Sequence, residues 1–202
     1  MPILDPGRSQ AAQLEPLQLD EVRDGLTAKR IGTDFYYFLE LDSTNNFARR
    51  LAEQATPAGT IVIAERQTQG RGRAGRSWIS PPYVNLYLSI VLRPELPPAE
   101  APQITLMAAV ALAETVASFM PLPALIKWPN DILVNGKKLA GILTEASSTS
   151  ERIDFVILGI GINLNFPEKL MPEAIRQRAT SLLIATQNNI RREVFLRRLI
   201  QD

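Results

Sequence analysis

The sequence predicts an α+β fold, a mixed and mainly antiparallel central sheet with flanking helices, and three observations carry that prediction. Short apolar runs rich in branched and aromatic residues follow one another at hairpin spacing. Helical patterns interrupt them too rarely for a doubly wound parallel sheet. Between two of the runs stands Asn135-Gly136, the pair that two-residue hairpin turns favour because both positions need positive φ.

Residues 1–32 carry Pro2, Pro6 and Pro16 and no sustained period, so they read as an N-terminal extension, with a short helix over 17–28. The stretch is too short for a three-helix DNA-binding domain. Residues 33–202 form the core domain. Phe35 to Leu39 is a first strand. Thr44 to Gln54 is a helix with Ser43 or Thr44 as its N-cap and Phe47, Ala48, Leu51 and Ala52 on one face. Thr60 to Glu65 is a short buried strand, and Gln67 to Ser77 has no apolar period and is a loop. Val84, Leu86, Leu88, Ile90 and Leu92 alternate as a half-buried strand would, and Pro94 stops them. A helix follows near Glu100 to Phe119, then strand runs at 124–128, 131–134, 138–145 and 153–163. The final stretch, from Ser181 through Phe195 to Leu199, reads as helical up to Asp202 without a capping residue.

Composition removes whole classes of chemistry. Among 202 residues there is no Cys and no His, so thiol nucleophiles, disulfides, Cys/His zinc sites and Ser-His-Asp triads are excluded. Catalysis must run on carboxylates, Lys, Arg, amides, hydroxyls or a hard cation with oxygen ligands. With 22 Lys+Arg against 21 Asp+Glu, the net charge of +1 argues against bulk affinity for nucleic acid or anionic membrane. No run is long enough for a membrane span and no signal-peptide pattern opens the chain, so a cytoplasmic location is expected.

Five constellations carry polar chemistry. Gln67-Thr68-Gln69-Gly70-Arg71-Gly72-Arg73-Ala74-Gly75-Arg76 brings glycines that let backbone N–H groups approach an anion, and arginines that fork onto phosphate or carboxylate. By composition alone it is equally a solvated basic loop or a nucleic-acid contact. Lys127-Trp128-Pro129-Asn130-Asp131 turns at a strand end and presents an amide beside a carboxylate, which suits a metal-bound phosphate, although Pro-Asn-Asp is also ordinary turn composition. In Lys138-Leu139-Ala140-Gly141-Ile142-Leu143-Thr144-Glu145 a lysine enters a strand whose Gly141 clears space for a ligand or a second strand. Gly159-Ile160-Gly161-Ile162-Asn163 clears a groove with two glycines on one face and ends on an amide, or simply allows tight packing. Asp42-Ser43-Thr44-Asn45 is an N-cap cluster and, at a helix N-terminus, a polar pocket for a ureido or carboxylate group.

Taken in order over residues 41–165, these motifs resemble the biotin protein ligase family. The resemblance implies a fold related to class II aminoacyl-tRNA synthetases and ATP-dependent attachment of biotin to one lysine of a biotin carboxyl carrier protein through biotinyl-5′-AMP. It implies that Ser43, Thr44, Asn45, Gln67, Gly70, Arg71 and Gly141 line the biotin site. It further implies that Arg71, Arg73, Arg76, Trp78, Asn130, Asp131 and Asn163 meet ATP, that Lys138, Arg73 and Asp131 are catalytic, and that Asp131 faces Mg²⁺. Larger relatives carry a DNA-binding winged helix that residues 1–32 cannot supply, so no DNA partner is expected; the small β-barrel that usually follows the catalytic domain is not expected before Asp202. A lipoate ligase of the same superfamily and a non-catalytic nucleic-acid binder are the competing readings, and the oligomeric state stays open, a homodimer included.

Overall fold

The computed structural model describes residues 15–28 and 30–202; residues 1–14, the first part of the expected extension, and Lys29 lie outside the described residues. One seven-stranded sheet organises the chain, in the order β1-β2-β3-β7-β6-β5-β4. Its strands are β1 (Phe35–Leu41), β2 (Ile61–Gln67), β3 (Leu86–Leu92), β4 (Leu125–Lys127), β5 (Asp131–Val134), β6 (Lys137–Ser148) and β7 (Ile153–Ile162). Only β1 and β2 pair in parallel; every other neighbouring pair is antiparallel, as hairpin spacing predicts. Asn135 and Gly136 join β5 to β6 with φ of 50° and 75°, the positive pair that this two-residue turn requires.

Among the described residues six helices accompany the sheet: α1 (Leu19–Arg23), α2 (Thr44–Glu53), α3 (Pro102–Ala117), α4 (Glu173–Arg176), α5 (Leu182–Thr186) and α6 (Arg192–Gln201). Strand alternation assigns the two faces. Leu88, Ile90, Leu158, Ile160 and Ile142 point to the main core with Leu112 and Val116 of α3 and Phe195 and Leu196 of α6. Val62, Val91 and Ile157 point the other way, against Ala48 and Ala52 of α2. The central strands are therefore covered on both sides. This corrects the expected half-buried strand at 84–92: β3 is buried from Leu86 through Val91, because α2 covers the face that alternation alone would leave to solvent.

Three further expectations change. The helix expected over 17–28 is confined to Leu19–Arg23 and is followed by Gly25 at φ 80°. Leu17 and Val22 beside it are buried in the main core, so the described part of the N-terminal segment packs with the sheet and its helices. The single helix expected from Ser181 onward is two, because Gln187 adopts φ 61° and the chain resumes a helix only at Arg192. Strand β2 runs on to Gln67, which places that residue on the sheet and at its edge with the loop.

Candidate active site

On the α2 side of the sheet, Gly141, Leu143 and Glu145 of β6 lie opposite Gly161, Gly159 and Ile157 of β7, and Ser89 of β3 lies opposite Gly159. Glycine at three of these positions lowers the floor of the sheet, and a cavity opens there. Its volume is about 110 Å³, and its walls are the N-terminus of α2, the Arg71–Trp78 loop, the β4–β5 turn and the start of β6. The glycines are sterically required. A Cβ at Gly159 would lie 2.1 Å from Asn45 Oδ1, and one at Gly161 would lie 2.6 Å from the Trp78 ring.

The polar end of the cavity is built by α2. Ser43 takes the N-cap position with extended backbone, but its hydroxyl makes no capping bond; it is left to line the cavity. The helix end is served from the sheet instead, since Gln67 Oε1 accepts from the Thr44 N–H at 2.9 Å and lies 3.1 Å from Thr44 Oγ1. Gln67 is fixed in turn by donating from Nε2 to Ser80 Oγ at 3.3 Å. Asn45 donates from Nδ2 to Glu145 at 2.8 Å and accepts from Ser89 Oγ at 2.6 Å.

The opposite end is cationic. Lys138 Nζ sits 2.7 Å from Asp131 Oδ1, a charge pair outside hydrogen-bond geometry, and 5.3 Å from the Trp78 ring centroid. The Lys138 backbone is clamped from both sides, its N–H donating to Arg178 and its C=O accepting from Thr180, so only the side chain is free to face the cavity. Arg71 donates to Asn46 and Glu145, both at 2.8 Å. Arg73 donates to Asn130 at 2.9 Å, while Asn130 itself is pinned by donating to the Ile142 carbonyl. Among the described residues the Arg76 side chain donates only to the Arg73 carbonyl. The Trp78 indole N–H is buried and has no partner among the described residues, a donor that a ligand acceptor would satisfy.

The structure thus brings together Ser43, Thr44, Asn45, Gln67, Arg71, Arg73, Arg76, Trp78, Asn130, Asp131, Lys138 and Gly141 around one cavity. Gly70 stands just behind it, where a Cβ would meet the Trp78 carbonyl at 2.4 Å. Asn163 is not brought in. It is buried at the end of β7, donating to the Thr180 carbonyl at 3.0 Å and accepting from Asn85 at 3.3 Å, so its amide already has internal partners. Sequence reasoning passed over Glu145 and Ser89. The signal for Glu145 was strand periodicity, since it stands four residues after Gly141 on the same strand and hence on the same face.

A resident metal ion does not fit these residues. Asp131 is the carboxylate that the β4–β5 turn presents, it is paired with Lys138, and no group of three or more acidic ligands that could hold a metal ion occurs among the described residues.

Comparison with known proteins places the chain among ligases. Residues 37–163 match the family described as the biotin/lipoate A/B protein ligase family. The chain is 42% identical over 176 residues to the bifunctional ligase/repressor BirA of Bacillus subtilis, covering 87% of this chain and 54% of that protein. It is 37% identical to the biotin–[acetyl-CoA-carboxylase] ligase of Mycobacterium tuberculosis, covering 83% of this chain and 62% of the relative. The chain therefore spans between about half and two thirds of the length of these relatives. Among solved structures, the biotin protein ligase of Aquifex aeolicus in complex with biotin and ATP superposes with a TM-score of 0.70 at 35% identity, over 84% of this chain and 68% of that one. The biotin protein ligase of Leishmania major with biotinyl-5-AMP gives 0.68 at 27% identity, over 84% and 72%.

Proposed function

The chain belongs to the biotin/lipoate A/B protein ligase family, and from that premise we propose that it activates biotin with ATP and transfers it to a lysine of a biotin carrier protein, the carrier subunit of acetyl-CoA carboxylase. The observation that carries this reading is a neutral polar pocket and a set of loop cations sharing one cavity. A ureido ring and a carboxylate–phosphate junction need those two environments side by side.

In the first half-reaction an oxygen of the biotin carboxylate attacks the α-phosphorus of ATP and pyrophosphate leaves. In the second, the carrier's lysine amine attacks the acyl carbon of biotinyl-5′-AMP, AMP leaves and an amide forms. Both nucleophiles come from the substrates, which suits a chain without Cys or His. The enzyme's share is positioning and neutralisation. Ser43, Thr44, Asn45, Gln67, the Gly70–Arg71 backbone and Gly141 would hold biotin, with Lys138 at the reacting carboxylate. Arg71, Arg73 and Arg76 would take phosphate charge, and Trp78, Asn130 and Asp131 would face the nucleotide. Asn163 would join them only by giving up an internal bond. Mg²⁺ belongs to the substrate MgATP, with Asp131 as the one protein carboxylate offered to it.

A cavity of about 110 Å³ is well below the several hundred Å³ usual for such ligands. Binding therefore requires the Arg71–Trp78 loop to move outward and then close again, which also shields a mixed anhydride from water. The test is biotin-dependent exchange of pyrophosphate into ATP, followed by labelling of a carrier domain. Exchange with biotin but not with lipoate supports the reading, while exchange with lipoate alone, or none with either, overturns it.

A further inference from the structure

Glu145 touches none of the groups expected to react, yet it closes a chain of hydrogen bonds that links the cavity-lining residues Arg71, Asn45, Thr44 and Gln67 from behind. One carboxylate oxygen accepts from Arg71 of the glycine-rich loop at 2.8 Å, the other from Asn45 Nδ2 at 2.8 Å. Its side chain is 16% exposed, so solvent offers little substitute for either partner. Beyond Asn45, Ser89 Oγ lies 2.6 Å from Asn45 Oδ1 and 2.8 Å from Thr44 Oγ1, which in turn stands 3.1 Å from Gln67 Oε1.

The direction of these bonds is not free. An ionised carboxylate can only accept, as can the Leu143 carbonyl 3.3 Å from the same nitrogen, so Asn45 turns its NH₂ toward this pair, with Glu145 the nearer partner at 2.8 Å, and its carbonyl oxygen toward Ser89. The Ser89 proton is then committed to Asn45, and Ser89 cannot donate it to Thr44. Thr44 must direct its own proton to Ser89 or to Gln67, which leaves its oxygen lone pairs for the cavity. Gly159 keeps this arrangement possible by leaving room for the Asn45 amide.

We propose that Glu145 is a positioning residue that fixes the polarity of the Thr44 hydroxyl as an acceptor for a ligand N–H and, through its second oxygen, holds Arg71 over the same ligand. The inference rests on the biotin-ligase reading and deepens it: the pocket is set to recognise a hydrogen-bond donor, such as the ureido N–H of biotin, before the loop closes. Glu145→Gln keeps the size of the side chain but can donate as well as accept, so it leaves the orientation of Asn45 to the longer bond to the Leu143 carbonyl and removes the counter-charge of Arg71.

The experiment is steady-state pyrophosphate exchange on the full chain for wild type, Glu145→Gln, Ser89→Ala and the double variant, with Arg49→Ala as control, since Arg49 approaches Glu145 only at 3.6 Å. Glu145→Gln is expected to raise the KM for biotin about tenfold, the usual size of one charge-assisted bond, and to raise the KM for ATP as well because it frees Arg71. Ser89→Ala, which leaves Arg71 held, is expected to raise the biotin KM with the KM for ATP changed by about twofold or less, the double variant to raise the biotin KM less than the product of the two, and Arg49→Ala not at all. A wild-type biotin KM in Glu145→Gln, or strictly multiplicative effects of the two substitutions, overturns the proposal. Should Glu145→Gln not fold, Ser89→Ala decides it by its KM split. Absence of biotin-dependent exchange in the wild type fails the ligase reading itself and is distinguished by that result.

Discussion

Two charge clusters lie on the sheet, one at Glu65 of β2 and one around the cavity formed by β5, β6 and the loop after β2, and they are built on opposite terms. At Glu65 the carboxylate is essentially sealed, with the side chains of Arg192 and Glu65 7% and 1% exposed. It accepts from Arg192 at 2.6 and 3.1 Å, from the Tyr37 hydroxyl at 2.7 Å, and from the backbone N–H groups of Leu17 and Tyr83. Burial, reinforced by the adjacent carboxylate, pushes the Tyr37 hydroxyl well above the usual phenol range and keeps it a donor. Past Gln67, the cavity pairs Lys138–Asp131 and Arg71–Glu145 are partly open, their cations 34% and 44% exposed. A saturated buried pair has nothing left to offer a ligand. A half-open pair can exchange one partner for a phosphate at modest cost. Charge marks a functional site here only where hydrogen-bond capacity is unspent.

Breaking the sealed cluster gives the largest effect expected. Arg192→Ala leaves Glu65 buried without its counter-charge and also releases the Glu15 carbonyl, to which Arg192 donates at 2.7 Å. A loss of about 3–5 kcal/mol is expected, or a fall in Tm of about 10 °C in a chain of this size. Thermal melts followed by circular dichroism check it. If Arg192→Ala melts like the wild type, the distinction between the two clusters fails.

The open cluster answers in activity. Lys138→Ala should lower the rate of pyrophosphate exchange by on the order of 10²–10³, because it removes the cation expected beside the reacting carboxylate. Its Tm should stay within a few degrees of wild type, since a partly exposed pair contributes about 1 kcal/mol or less. Transfer from pre-formed biotinyl-5′-AMP to a carrier should be affected far less than exchange. An unchanged exchange rate with a lowered Tm would turn Lys138 into another structural charge.

The same distinction explains what was legible in the sequence. The open cluster lies on loops and strand ends where Gly, Pro, Arg and Asn sit close together in the chain, so Arg71, Arg73, Asn130, Asp131 and Lys138 could be read from local composition. The sealed cluster joins residues 127 apart. Glu65 at the end of an apolar strand run is visible as an oddity, but nothing local says that Arg192 will answer it. Asn163 shows the converse: its motif pointed to a ligand, and the fold gave its amide to Asn85 and Thr180. Strand alternation found most of the sheet but could not report that α2 would cover the second face of β3. The break at Gln187 had a local sign in Asn188-Asn189, turn-favouring residues inside an otherwise helical pattern.

The smallest effect expected lies where helix α2 meets the open cluster. Asn46 donates to Asp42 at 2.9 Å while accepting from Arg71 at 2.8 Å, so one amide links the helix start to the loop. That hydrogen bond from Asn46, more than any other contact, holds the Asp42 carboxyl below its usual range. A carboxylate with a depressed folded-state value stabilises the fold above the ordinary carboxylate range, near pH 4, and loses that contribution as pH falls through the folded-state value. Asp42→Asn should therefore cost a few tenths of a kcal/mol at neutral pH, the group being partly exposed and screened by solvent. The difference from wild type should shrink steadily as urea melts are repeated at lower pH and disappear in strong acid. A difference that stays constant from neutral pH into strong acid would mean that Asp42 acts by packing alone, and that its charge plays no part in orienting Asn46 toward Arg71.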